Sequence, residues 1–185
     1  MRRHWHYPDD RERRKWQNPE KILADIGLKK GDVFVDIGCG RGFFTLPAAR
    51  IVGKGGKVYG VDIDDEILAE LRVKADKEGL DNIVLKTGEA ERVIPCRSCA
   101  DFVFYGIDLH DFMEPKKALA NARIMLKKDG RLIDLDWKKE TMEIGPPVQI
   151  RFSHEEAREL IEEAGFKTEH IAEAGKYHYI IIARS

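Results

Sequence analysis

Apolar runs of strand length recur along the chain at 32–37 (DVFVDI), 57–63 (KVYGVDI), 82–87 (NIVLKT), 101–107 (DFVFYGI) and 130–137 (GRLIDLDW). Between them the apolar period becomes helical. Ile67, Leu68, Leu71 and Ala75 fall on one face, as do Ala118, Leu119, Ala122, Met125 and Leu126. Strand and helix alternating in this way predict a mainly parallel sheet with right-handed crossovers and helices on both sides.

The rhythm breaks near the end. Ser153, with Glu156 three residues on, forms a capping-box pattern, so a helix opens there and Gly165 closes it. Two more strands, about 167–173 and 177–184, are joined only by Ala174-Gly175-Lys176. So short a link permits a hairpin and excludes a parallel crossover, which needs about a dozen residues. The last strand is therefore expected to run antiparallel to its neighbour.

At 185 residues the chain fits one domain. Residues 1–21 form a distinct piece at its front. Seven basic side chains (Arg2, Arg3, Arg11, Arg13, Arg14, Lys15, Lys21) stand against four acidic ones, with Trp5, Tyr7 and Trp16 interleaved. This suits a helix packing its aromatics on the domain, a lid facing the substrate, or a local nucleic-acid contact. Over the whole chain 32 basic residues balance 33 acidic ones, so no global attraction to nucleic acid or anionic membrane is expected. No apolar run approaches the roughly 18 residues of a membrane span, and the N-terminus lacks a signal-peptide core, which predicts a cytoplasmic protein. Three cysteines in such a chain predict reduced thiols. Cys96-Arg97-Ser98-Cys99 has only Cys39 as a further thiolate, too few for a four-ligand zinc site, so no metal is expected.

The chemistry starts at Asp36-Ile37-Gly38-Cys39-Gly40-Arg41-Gly42, which leaves the first apolar run. A glycine-rich turn between strand and helix lets a ligand approach the backbone, with helix-start amides as donors. A dinucleotide loop would need a third glycine at 43, where Phe stands, and a Walker loop would end in Gly-Lys-Ser/Thr. Asp36 is unhelpful beside a pyrophosphate and helpful beside a cation. S-adenosylmethionine, with a sulfonium, an ammonium and no phosphate, fits better. The second strand ends in Asp62, placed to accept both ribose hydroxyls of an adenosine, with Ile63 beside the adenine. The third ends Gly88-Glu89-Ala90, offering a carboxylate to the adenine amino group and a backbone amide to a ring nitrogen.

On these residues the chain, over roughly 20–185, resembles the class I S-adenosylmethionine-dependent methyltransferases. Asp36 to Gly42 are similar to the first motif of that family, Asp62 to its second-strand acid, Gly88-Glu89-Ala90 to its adenine motif, and Tyr105-Gly106-Ile107 to the segment bordering the methyl group. The resemblance implies an α/β Rossmann-like seven-stranded sheet in the order 3-2-1-4-5-7-6, with strand 7 antiparallel. It implies a cofactor site of Asp36, Gly38, Cys39, Gly40, Asp62, Ile63, Gly88, Glu89, Ala90, Tyr105, Gly106 and Ile107. Leu109-His110, and the stretch from Trp137 to Arg151, look most like the small-molecule branch containing quinone C-methyltransferases and arsenite methyltransferases.

Ligands in open α/β sheets sit at the carboxyl ends of the strands, so Tyr105 to Asp111 should flank the methyl. His110 has the ordinary pKa of a general base. Asp108 can orient or deprotonate an acceptor, or merely cap the next turn. The loop Lys138 to Arg151, with Gly145-Pro146-Pro147, is long enough to cover an acceptor pocket. A small-molecule methyltransferase is expected. An RNA or protein methyltransferase docking through residues 1–21, and a cofactor-binding module without catalysis, are the alternatives.

Overall fold

The computed structural model describes residues 10–185; Arg2, Arg3, Trp5 and Tyr7 of the N-terminal segment lie outside the described residues. Seven strands form one sheet in the order β3-β2-β1-β4-β5-β7-β6. They are β1 (Val33–Ile37), β2 (Lys57–Asp62), β3 (Ile83–Thr87), β4 (Ala100–Gly106), β5 (Leu126–Trp137), β6 (Lys167–Ala174) and β7 (His178–Arg184). β1 to β5 pair in parallel, and β7 runs antiparallel to both β5 and β6, as the short 174–176 link requires.

The helices are α1 (Asp10–Arg13), α2 (Pro19–Asp25), α3 (Thr45–Val52), α4 (Asp65–Lys77), α5 (Pro115–Met125) and α6 (His154–Glu163). The predicted capping box at Ser153 and Glu156 opens α6, and Pro115 starts α5. Strand parity splits the core in two. Phe34, Phe102, Phe104, Ile133 and Leu135 face α2, α3 and α4, while Val35, Val103, Tyr105, Leu132 and Ile181 face α5 and α6. A sheet covered on both sides explains why its central strands read as unbroken apolar runs.

Two expectations change. Leu126 leaves the helical face predicted for it and begins β5 directly after Met125. Its backbone is extended, and Gly130 allows the chain to pass where a Cβ would meet the Ala100 carbonyl, so the pairing of Ala100 with Leu126 prevails. The thiols of Cys96 and Cys99, expected to be free, are joined in a disulfide, leaving Cys39 as the free, buried cysteine. The Cys-x-x-Cys segment is anchored by Ser98 and Cys99 amides donating to Ile124 and Met125 carbonyls, which holds the two sulfurs together at the entrance to β4.

Candidate active site

The parallel register aligns the carboxyl ends of β1, β2 and β4, with Asp36 opposite Gly60 and Ile37 opposite Tyr105. The glycine loop emerges there. Gly38 takes a left-handed backbone (φ 74°), and a Cβ on it would run into the carboxyl of Asp108. Only glycine lets the loop and the end of β4 approach this closely. Asp62 fastens the loop from the side: the Gly40 amide donates to its Oδ2 at 2.9 Å and the Asp64 amide to its Oδ1 at 3.1 Å. Each oxygen keeps a lone pair for a further donor.

Carboxylates crowd this edge. Asp36 is buried, accepts a 2.6 Å hydrogen bond from the Thr45 hydroxyl, and burial pushes its pKa up to about 7. Asp108 is held well above the carboxylate range by burial and then by Asp62, Asp111 and Asp36. The capping role open to Asp108 is not taken. Its side chain makes no cap bond to the turn Leu109–Asp111, and its Oδ2 is buried with no hydrogen-bond partner. Buried carboxyls crowded together in this way favour a cation. Together with the open space over Gly40, this set of acids fits the sulfonium and ammonium of S-adenosylmethionine.

The other predicted residues fall on both sides of this edge. Ile107 holds a left-handed φ of 75° while fully buried, a strained state for a β-branched residue and one found at functional positions. Glu89 is half exposed and pairs with Arg92 at 3.0 Å, and Ala90 is buried. Two side chains point elsewhere. Tyr105 donates from its hydroxyl to the Ala118 carbonyl of α5 at 2.8 Å, and Cys39 packs in the core against Gly60. At the carboxyl edge of the strands these two present backbone only.

His110 is the residue sequence alone could not complete. Its Nδ1 lies 2.8 and 2.9 Å from the carboxylate oxygens of Asp136, which also accepts the Trp137 amide at 2.7 Å. A carboxylate only accepts, so Nδ1 carries the proton and Nε2 is left as the basic nitrogen. Nε2 is buried and makes no hydrogen bond, with Asp111 Oδ1 3.5 Å away. Burial favours the neutral ring, but Asp136 and then Asp111 outweigh it and raise the pKa above its ordinary 6.5. Asp136 had a signal in sequence: Asp134 and Asp136 alternate within an apolar strand, and a buried acid there demands a partner.

The loop after β5 is organised by its own last residue. Buried Arg151 donates from Nε to Pro146 O at 2.7 Å, from Nη1 to Lys138 O and Glu140 O at 3.0 and 3.1 Å, and from Nη2 to Ile144 O at 3.2 Å and to Pro146 O. Gly145 (φ 94°) supplies the turn against Trp137 that this wrapping requires. On the other side, Trp16 of the N-terminal segment packs on Trp137 and His178, and the Arg13 guanidinium lies 4.0 Å over the Phe43 ring.

The sequence matches the family described as "Methyltransferase domain" over residues 28–180. It is 33% identical over 150 residues to a probable cobalt-precorrin-6B C(15)-methyltransferase (decarboxylating) of Saccharolobus solfataricus, covering 79% of this chain and 74% of that protein. It is 26% identical over 125 residues to the demethylmenaquinone methyltransferase of Staphylococcus aureus, covering 68% of this chain and 51% of that protein. The crystal structure of a SAM-dependent methyltransferase from Aquifex aeolicus superposes with a TM-score of 0.90 at 33% identity, over 95% of this chain and 93% of that one.

Proposed function

The chain belongs to the methyltransferase-domain family and is an S-adenosylmethionine-dependent methyltransferase; from that premise we propose that it methylates a small molecule, with His110 as the general base. The observation that carries this reading is the buried His110–Asp136 pair, whose free Nε2 lies on the same strand-end turn as Asp108.

The cofactor supplies an electrophilic methyl carbon on a sulfonium sulfur that departs as a neutral thioether. Asp62 would hold the ribose hydroxyls and Ile63 border the adenine, which Glu89 and the Gly88 to Ala90 backbone would read. Asp36 and Asp108 would meet the positive end of the cofactor, and the backbone of 105–107 would border its methyl group. As the acceptor atom gains its bond to carbon it becomes acidic, and His110 Nε2 takes its proton. Asp136 fixes the tautomer that leaves Nε2 basic and then stabilises the imidazolium. The Lys138–Arg151 loop and the segment from Asp10 to Gln17 exclude water from the reacting atoms.

Two of the relatives act, by name, on small molecules, a cobalt-precorrin and a demethylmenaquinone. Docking of RNA or protein is less favoured, because basic residues of the N-terminal segment are already paired: Arg14 with Glu20, Lys15 with Glu12, and Lys21 with Asp25. Transfer of labelled methyl from the cofactor into a fractionated cell extract tests the reading. Label is expected in the small-molecule fraction; label in RNA or protein contradicts it. No helix among the described residues is long and apolar enough to cross a membrane.

A further inference from the structure

His178 opens β7 directly opposite Trp137, at the same sheet edge as the active site. It is fully buried, and neither ring nitrogen has a hydrogen bond. The Trp137 indole N–H beside it and the Gln17 amide nitrogen are likewise buried and unpartnered. The Gln17 orientation is fixed, since its oxygen accepts from Arg13 Nε at 2.7 Å and only its NH2 remains. The cations of Arg13, Arg151 and Lys138 surround His178 and, with burial as the largest cause, hold it neutral at a pKa of about 3. Two unmet N–H donors and an unpaired imidazole among three cations demand oxygen acceptors.

The walls are aromatic. The Trp16 ring stacks on His178 at 5.3 Å and 17°, and Trp137 packs on its other neighbours at 4.2 Å from His178 and 5.6 Å from Trp16. Buried Gln17 and the Arg13 guanidinium over Phe43 anchor the segment beside Trp16, whereas α1 ahead of it is one turn long and its ion pairs, such as Lys74 with Asp10 at 3.5 Å, are exposed and screened by water.

We propose that the patch formed by Gln17, Trp137 and His178 seats the methyl acceptor, a planar conjugated ring bearing an oxyanion, and that the Trp16 indole occupies the ring's place until it swings aside while Gln17 stays. The inference rests on the methyl-transfer reading of the same edge. A flat ring replaces the indole face against His178, its oxygens take up the N–H groups of Gln17, Trp137 and His178, and the cations of Arg13, Arg151 and Lys138 lie around its charge. No covalent step is added to the one already described.

The test uses 3-hydroxy-2-naphthoate as probe, with 2-naphthalenemethanol as the neutral ring and cyclohexanecarboxylate as the non-planar anion. Binding to the full chain is followed by tryptophan fluorescence and calorimetry. The naphthoate is expected to bind, with the two controls at least about tenfold weaker. His178→Phe keeps the ring and removes the polar atoms. Buried unpartnered groups are destabilising, so this variant should melt higher than the wild type while binding the naphthoate at least about fivefold more weakly, with cofactor affinity unchanged. A purely structural His178 gives the higher melting temperature with naphthoate binding intact, which overturns the proposal. So does equal binding of the neutral ring, or no naphthoate binding by the wild type at millimolar concentration. Cofactor titration of the same samples is read separately: a wild type that binds naphthoate but no cofactor sinks the methyl-transfer reading and leaves the patch standing as an oxyanion site.

Discussion

Replacing Asp36 by Asn separates what the carboxyl does for ligand binding from what it does to the fold. Its pKa is pushed from 3.8 up to about 7 by burial, against the opposing hydrogen bond from Thr45. A carboxyl whose folded value lies about three units above its unfolded one loses stability as pH rises between the two, at about 1.4 kcal/mol per unit. The penalty is absent below pH 3.8, is about 1.5 kcal/mol at pH 5, and reaches about 4 kcal/mol above pH 7. Asparagine escapes it but receives a weaker bond from Thr45, a loss of about 1 kcal/mol. Free of ligand, the variant should therefore gain about 3 kcal/mol at pH 8, or roughly 6–12 °C in Tm for a domain of this size, and under about 1 kcal/mol at pH 5. Its affinity for S-adenosylmethionine at pH 8 should fall at least about tenfold, because the ammonium and sulfonium lose a counter-charge. Scanning calorimetry at the two pH values and a cofactor titration check this. A variant less stable than wild type at pH 8, or equally stabilised at both pH values, would refute the argument that the buried carboxyl is strained until a cation arrives.

Asp62→Ala removes the acceptor for the Gly40 and Asp64 amides as well as for the ribose, and should weaken cofactor binding at least about tenfold by calorimetry. His110 acts as a base only when neutral, and its pKa is raised, so the rate should climb with pH through an inflection above 6.5. Asp136→Asn removes the largest cause of that rise, leaving burial in charge, so the inflection should move down while the plateau falls with the lost tautomer control; an unmoved inflection assigns it to another group. Arg151→Lys cannot span four carbonyls, and should lower stability by about 2 kcal/mol and speed proteolytic cleavage within 138–151 at least about tenfold, with cofactor affinity within about twofold.

Local patterns carried most of the fold and the cluster of acids and glycines at the carboxyl ends of β1 and β2. The glycine loop, the acids closing the first two strands and the short 174–176 link each state a backbone requirement within a few neighbouring residues. What sequence did not disclose depends on register between distant segments. His110 meets Asp136 only because β4 and β5 lie side by side. Trp16 finds His178 only because the N-terminal segment runs to the antiparallel end of the sheet. Tyr105 illustrates the role of parity. A single step along β4 decides between the core under α2 to α4 and the α5 face, and its hydroxyl bonds to α5. Asp108 was legible as an acid in the turn after β4, but its close approach over Gly38 is a property of the packed strands.

The central claim, a small acceptor deprotonated by His110, is tested most directly by comparing wild type with His110→Ala. Labelled-methyl transfer into the small-molecule fraction of a cell extract is measured at saturating S-adenosylmethionine, with cofactor affinity determined on the same samples. General base catalysis is worth about a hundredfold or more, so the alanine variant should lose at least that much rate while binding the cofactor within about twofold of wild type. Equal rates for the two proteins, with label accumulating in both, would contradict the account.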